Sequence, residues 1–135
     1  MKTLTLIIVT CSNIFALIPI QSLIHHGYYG GAILTGLTAL ASVFMHATET
    51  KHQLPGLFWA EHSNLFLNID RFFAKVLIMY GLWLFYDHPN LLPVITSIVG
   101  LIMLGVGELT YHLPLYTFLH SSWHFLAFYS LYLVI

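Results

Sequence analysis

His120 and His124 stand four residues apart near the chain's C-terminal end, and Ser42 and His46 repeat that spacing in an earlier segment. Residues four apart on an α-helix share a face, so each pair presents its two polar side chains in one direction. Asp70 falls about one turn into a third segment. Three imidazoles with one open position are the arrangement of a catalytic zinc ion, whose fourth ligand is water or hydroxide. Bound zinc lowers the pKa of that water to about 7 and so supplies a nucleophile at neutral pH. An aspartate beside the water can hold it and take its proton. A serine hydroxyl can orient the aspartate or a substrate oxygen.

The elements that must position these groups are apolar helices. Of 135 residues 59% are hydrophobic, and only nine are charged (Lys+Arg 4, Asp+Glu 5). Soluble domains average roughly 25% charged residues, whereas a lipid-facing surface needs none. Five apolar segments, about 3–24, 31–47, 65–86, 91–109 and 115–135, each approach the roughly 20 residues that span a bilayer. The fold expected is therefore an all-α integral membrane protein: one multi-pass bundle of about five transmembrane helices with no room for a soluble domain. Met1 to Ile24 reads as a retained first helix rather than a signal peptide, because its apolar run is long and no small-x-small cleavage site follows. Pro19 predicts a kink in it, with Asn13 a polar point. The second segment is rich in small residues (Gly31, Ala32, Gly36, Ala39, Ala41, Ser42), which predicts a central place in the bundle. Breaks fall at His25-His26-Gly27, across the long polar connection from Glu49 to Asn64, at Asp87-His88-Pro89-Asn90, and at Tyr111-His112-Leu113-Pro114.

Counting crossings brings the candidate residues to one side. The second helix ends, and the third and fifth begin, on the side where the first begins. At ~1.5 Å per residue, Asp70 is expected roughly 6–8 Å below that surface, and Ser42 and His120 about 8–9 Å below it. His46 is shallower, and His124 is one turn deeper. Ionisable groups inside a membrane segment are costly and face the bundle interior or a water-filled cavity. Five such groups from three helices in one layer favour a metal site over scattered packing histidines.

Ser42-Val43-Phe44-Met45-His46, then Asp70, then His120-Ser121-Ser122-Trp123-His124 resemble, in order and spacing, the CREST superfamily. That group contains the alkaline ceramidases, the progestin and adipoQ receptors, lipid-remodelling hydrolases and myomaker-like proteins. The stretch Tyr116-Thr117-Phe118-Leu119-His120-Ser121 is similar to the myomaker-like branch. The resemblance implies an intramembrane zinc held by His46, His120 and His124, with Asp70 and Ser42 as catalytic residues around the metal-bound water. The reaction it implies is cleavage of a lipid amide or ester. The superfamily has seven helices, so this chain reads as a minimal five-helix member, lacking two helices between the Asp helix and the last. The loop between His46 and Asp70 is also longer than in the ceramidases.

Other residues carry less. Arg71 and Lys75 are expected to snorkel to the near surface or to pair with Glu61 or Glu108, a grip on lipid phosphate or sphingoid oxygens being the secondary reading. Glu108 is expected to pair with Arg71 or Lys75. Glu49 is expected in the headgroup region. His52, His62 and His112 read as interfacial, Leu57-Phe58-Trp59 as lying at the interface, and His25, His26 and His88 as belonging to the opposite side. A net charge of -1 gives no case for nucleic acid. Cys11 is the single cysteine, so no intrachain disulfide forms. Haem is disfavoured because an i, i+4 pair cannot flank a large planar group. Lys2, Lys51 and Arg71 place the site toward the cytoplasmic leaflet by the positive-inside rule. The expected partners are the bilayer and a membrane lipid, and glycine-rich faces admit a homodimer. The non-enzymatic alternative is a zinc-stabilised membrane scaffold, lipid sensor or fusion-related protein.

Overall fold

The computed structural model describes residues 1–87 and 89–135 and is helical almost throughout. The first apolar segment forms two helices, α1 (Lys2–Cys11) and α2 (Leu17–His25), joined by a 3-10 stretch at Ser12–Ala16. The cause is Pro19, which donates no N–H and whose ring crowds the carbonyl of residue 15, so the preceding turn tightens. α3 (Tyr29–Thr48), α4 (Ser63–Asp87), α5 (Leu91–Leu109) and α6 (Leu113–Val134) follow. Asn90 caps α5 by accepting from the Leu92 N–H at 3.0 Å. Pro114 sits in the first turn of α6, where its missing donor costs nothing. The turn expected over 87–90 includes His88, which lies outside the described residues.

Two helices organise the bundle. α3 packs against α1, α2 and α4, in keeping with its small residues, and α6 packs against α5, α1 and α2 and more loosely against α4. At Gly31 a Cβ would overlap the Tyr80 ring of α4, so only glycine permits that approach. One apolar cluster (Leu23, Ala32, Leu84, Leu131, Val134) closes the end near the α2–α3 turn. A second (Leu6, Val9, Leu54, Tyr116) closes the other end, where Leu54 of the long loop is buried beneath the chain's N-terminal helix.

The bundle is inverted relative to a soluble protein. Thr35, Thr38, Ser42, His46, Glu49, His120, His124 and Ser130 are buried, while Leu, Ile and Phe side chains cover the outside. Buried Thr35 and Thr38 satisfy their hydroxyls on the carbonyls of Gly31 and Leu34, as buried polar groups require. Three stretches, Lys2–His25, Tyr29–Thr48 and Leu91–Leu109, are long and apolar enough to cross a membrane. α4 and α6 have the length, at 25 and 22 residues. Their polar residues, among them Asp70, Arg71 and Lys75 in α4 and His120 and His124 in α6, lower their apolarity.

Candidate metal centre

His46 lies in the last turn of α3, and His120 and His124 lie on successive turns of α6. The three are 0%, 4% and 6% exposed, so whatever satisfies their ring nitrogens must come from within the protein. His46 Nε2 is 3.2 Å from His124 Nε2 and 3.2 Å from His120 Nε2. One nitrogen from each ring can be chosen so that all lie within 4.8 Å of one another, and the group could hold one metal ion.

The opposite edges of the rings fix which nitrogens carry protons. His46 Nδ1 faces Glu49 Oε2 at 3.0 Å. His124 Nδ1 faces Ser12 Oγ at 2.6 Å, and that hydroxyl donates to the Val9 carbonyl at 2.6 Å. Ser12 therefore has only a lone pair to offer His124, whose Nδ1 must donate. With Glu49 ionised, His46 Nδ1 donates as well. Glu108 Oε1 lies 3.4 Å from His120 Nδ1, near enough for its charge to favour a proton there, though poorly aligned for a hydrogen bond. His46 and His124 thus keep their protons on Nδ1 and turn bare Nε2 lone pairs toward each other at 3.2 Å, where they repel unless a cation lies between them. Two nitrogens bound tetrahedrally to zinc at about 2.0–2.1 Å would be separated by about 3.3 Å, which matches the His46–His124 and His46–His120 spacings. Oxygen partners on the outer nitrogens are also what orients metal-binding histidines.

Glu49, expected at headgroup depth, is buried in the protein beside this centre. It is 8% exposed, and the Tyr116 hydroxyl donates to both of its oxygens at 3.1 Å. Burial pushes its carboxyl pKa up, while His120 and the Tyr116 hydrogen bond pull it back. The reason it lies inside is the loop. The Leu57 N–H returns to the Ala47 carbonyl, Leu54 is buried, and His52 lies against the Tyr116 ring with centroids 4.4 Å apart. Leu57, Phe58 and Trp59 of the same loop are exposed.

Glu108 also departs from expectation, since it pairs with Lys51 of the loop and faces His120. Arg71 and Lys75 form no ion pair among the described residues. Asp70 is half-buried on α4 with the Ser42 hydroxyl of α3 beside its carboxyl. It makes no hydrogen bond to the three histidines among the described residues. The structure therefore gathers His46, His120 and His124 tightly and sets the Asp70–Ser42 pair to one side. Ser12 and Tyr116 join the centre without having been singled out. Glu49 carried a signal in its i, i+3 spacing from His46, whereas a lone serine in the first helix carried none.

The chain matches no family model, and no curated protein or solved structure shows significant similarity to it.

Proposed function

We propose that this protein is a zinc-dependent intramembrane hydrolase that cleaves an amide or ester bond in a membrane lipid. The observation that carries the reading is the trio of buried imidazoles, each with an oxygen facing its outer nitrogen and its Nε2 turned toward another ring of the group. The spacing fits a tetrahedral zinc, and the order Ser42, His46, Asp70, His120, His124 resembles the CREST superfamily. Five crossings are part of this reading. The polar side chains that lower the hydropathy of α6 (His120, His124, Ser130) are buried, while Leu115, Phe118, Phe125 and Tyr132 face outward.

Zinc held there would supply a Lewis acid and lower the pKa of a water to about 7. The chain's own residues do the rest. Glu49 and Ser12 hold the rings of His46 and His124 in one tautomer and orientation, and Glu108 faces His120. Asp70 is the base that accepts the proton of the attacking water. Ser42 steadies the Asp70 carboxylate and can donate to the oxygen that gains charge as the carbonyl is attacked.

Elemental analysis of detergent-purified protein tests the metal directly. About one zinc per chain is expected, and none in His120→Ala/His124→Ala. Metal in neither protein would overturn the reading. Asp70→Ala should then retain zinc and lose hydrolysis across a panel of lipid amides and esters.

One observation favours the non-enzymatic alternative of a zinc-stabilised scaffold, lipid sensor or fusion-related protein. The groove between α1 and α6, about 560 Å³, is lined by residues such as Leu4, Ile8, Phe118 and Phe125 and by none of the three histidines or Asp70. Under that reading His120→Ala lowers thermal stability, and no lipid in the panel is hydrolysed by zinc-loaded wild type.

A further inference from the structure

The first span and α6 run side by side in the same direction. The Thr117 hydroxyl lies 3.1 Å from that of Thr5, and further along both elements the Phe125 ring meets Phe15 edge to face, with centroids 5.1 Å apart. Along this seam the two elements leave a groove of about 560 Å³. Its lining begins at Met1 and Pro114, at the starts of α1 and α6, and ends at Phe15 and Phe125, where the walls meet in ring contact. Leu4, Ile8 and Phe118 are exposed along it. The Thr5 and Thr117 hydroxyls are already paired, Thr117 also lying 2.8 Å from the Leu113 carbonyl, and the exposed lining is almost wholly apolar.

Length and width decide what such a groove holds. From Pro114 to Phe125 it extends about 16 Å at ~1.5 Å per residue. The hydrocarbon of one leaflet is about 15 Å deep, half of a core of about 30 Å. A groove one leaflet deep, starting where the helices start, lies along the path of an acyl chain. A volume of about 560 Å³ over that length makes it about 6 Å across. A helix of a second copy, about 10–12 Å across with its side chains, is too wide to enter, whereas one alkyl chain fits. At roughly 1.25 Å per carbon, from tetrahedral C–C bonds of about 1.5 Å, the groove accommodates about 13 carbons.

We propose that the groove between the first span and α6 binds one acyl chain of a membrane lipid, at a site separate from the metal centre, and that Phe15 and Phe125 limit how much of the chain it takes. Neither Asp70 nor any of the three histidines lines it, so the chain is held as a ligand and presents no bond for cleavage. Ser12 belongs to the same stretch as Ile8 and Phe15, and it faces His124, the neighbour of Phe125. A filled groove therefore braces the two elements whose contact orients His124. The inference goes beyond the hydrolase reading and rests only on its placement of the first span and α6 in the membrane.

The test is retention of alkylphosphocholines by the full chain, read by native mass spectrometry in a steroid-based detergent, which offers no alkyl chain of its own. These probes have one chain and no ester or amide, so hydrolysis does not consume them. Wild type is expected to retain one 14-carbon probe per chain, at least tenfold over the 8-carbon probe, which buries less apolar surface. Ile8→Trp and, separately, Phe118→Trp fill the groove from opposite walls and should each lower retention at least tenfold. Ile102→Trp, on the exposed face of α5, should leave it unchanged. A ligand that binds only the folded state raises its melting temperature, so the 14-carbon probe should raise that of wild type and Ile102→Trp but not that of Ile8→Trp. Retention indifferent to both groove variants, or lost equally in Ile102→Trp, overturns the proposal. So does a wild-type dimer that Ile8→Trp abolishes, which assigns the groove to a second copy. Wild type should gain nothing further from 18 carbons, whereas Phe125→Ala should, and an unchanged preference there removes the aromatic pair as the stop. His120→Ala/His124→Ala should retain the 14-carbon probe as wild type does, which separates failure of this site from failure of the metal centre.

Discussion

Glu49 sits one turn beyond His46 at the point where α3 ends, and its carboxylate is what keeps the His46 proton on the outer nitrogen. Replacing it with glutamine leaves an acceptor without charge, and zinc affinity should fall about tenfold, the lower end of the range for such partners. Competition with a chromophoric chelator measures this, and unchanged affinity would show that Glu49 only fills space. Ser12→Ala should weaken zinc similarly, because the His124 Nδ1–H would lose its acceptor in a buried site. The histidines were legible from spacing and from counting crossings, since both depend on local periodicity alone. Ser12 was not, because it meets His124 across 112 positions of sequence and nothing in an apolar helix marks one serine over another. The burial of Glu49 was missed for a different reason: helix geometry gives depth along an axis and says nothing of a loop that folds back over the helix end.

At the scale of elements, glycines separate contact from mere composition. Gly100, Gly105 and Gly107 all looked like helix contacts in the sequence. A Cβ at Gly100 would lie 3.0 Å from the Trp123 ring of α6, whereas at Gly105 it would meet open space. Gly100→Leu should therefore destabilise by about 1–3 kcal/mol through overpacking, while Gly105→Ala should cost nothing. Thermal unfolding in detergent compares them, and equal losses would remove the α5–α6 approach as the explanation. The break in the first span was readable from Pro19, but its form was not: a proline can bend a helix or tighten the preceding turn, and packing selects between them. The expected pairing of Glu108 with Arg71 or Lys75 is not formed among the described residues: both cations lie on the exposed face of α4, and the loop lysine Lys51 takes the place.

The molecule as a whole joins Ser12 in the first span, His46 in α3 and His120 and His124 in α6 around one point. Zinc held there, as proposed, would tie together helices that are distant in the chain. Stripping it with a strong chelator should lower the melting temperature, and added zinc should restore it. A melting temperature indifferent to chelator would mean that packing alone holds the three helices. The proposed five crossings would place Lys2 and Ile135 on opposite sides of the membrane. Single cysteines at those positions in a Cys11→Ser background should be labelled by an impermeant reagent from opposite faces. The positive-inside bias assigns the cytoplasmic face to Lys2, and labelling both residues from one face would remove a crossing. Composition made legible an all-helical chain with stretches long and apolar enough to cross a membrane, because the charge deficit is large. Averaged hydropathy counts against α6 the polar groups that it buries.

The apolar outside of the bundle has a kinetic consequence for the hydrolase reading. A substrate that arrives across it diffuses in two dimensions within a leaflet and never passes through water. The enzyme then responds to the mole fraction of substrate in the surface, not to its molarity in the tube. Diluting the substrate lipid with an inert one at fixed total amounts of protein and substrate should slow turnover in proportion, and adding buffer should leave it unchanged.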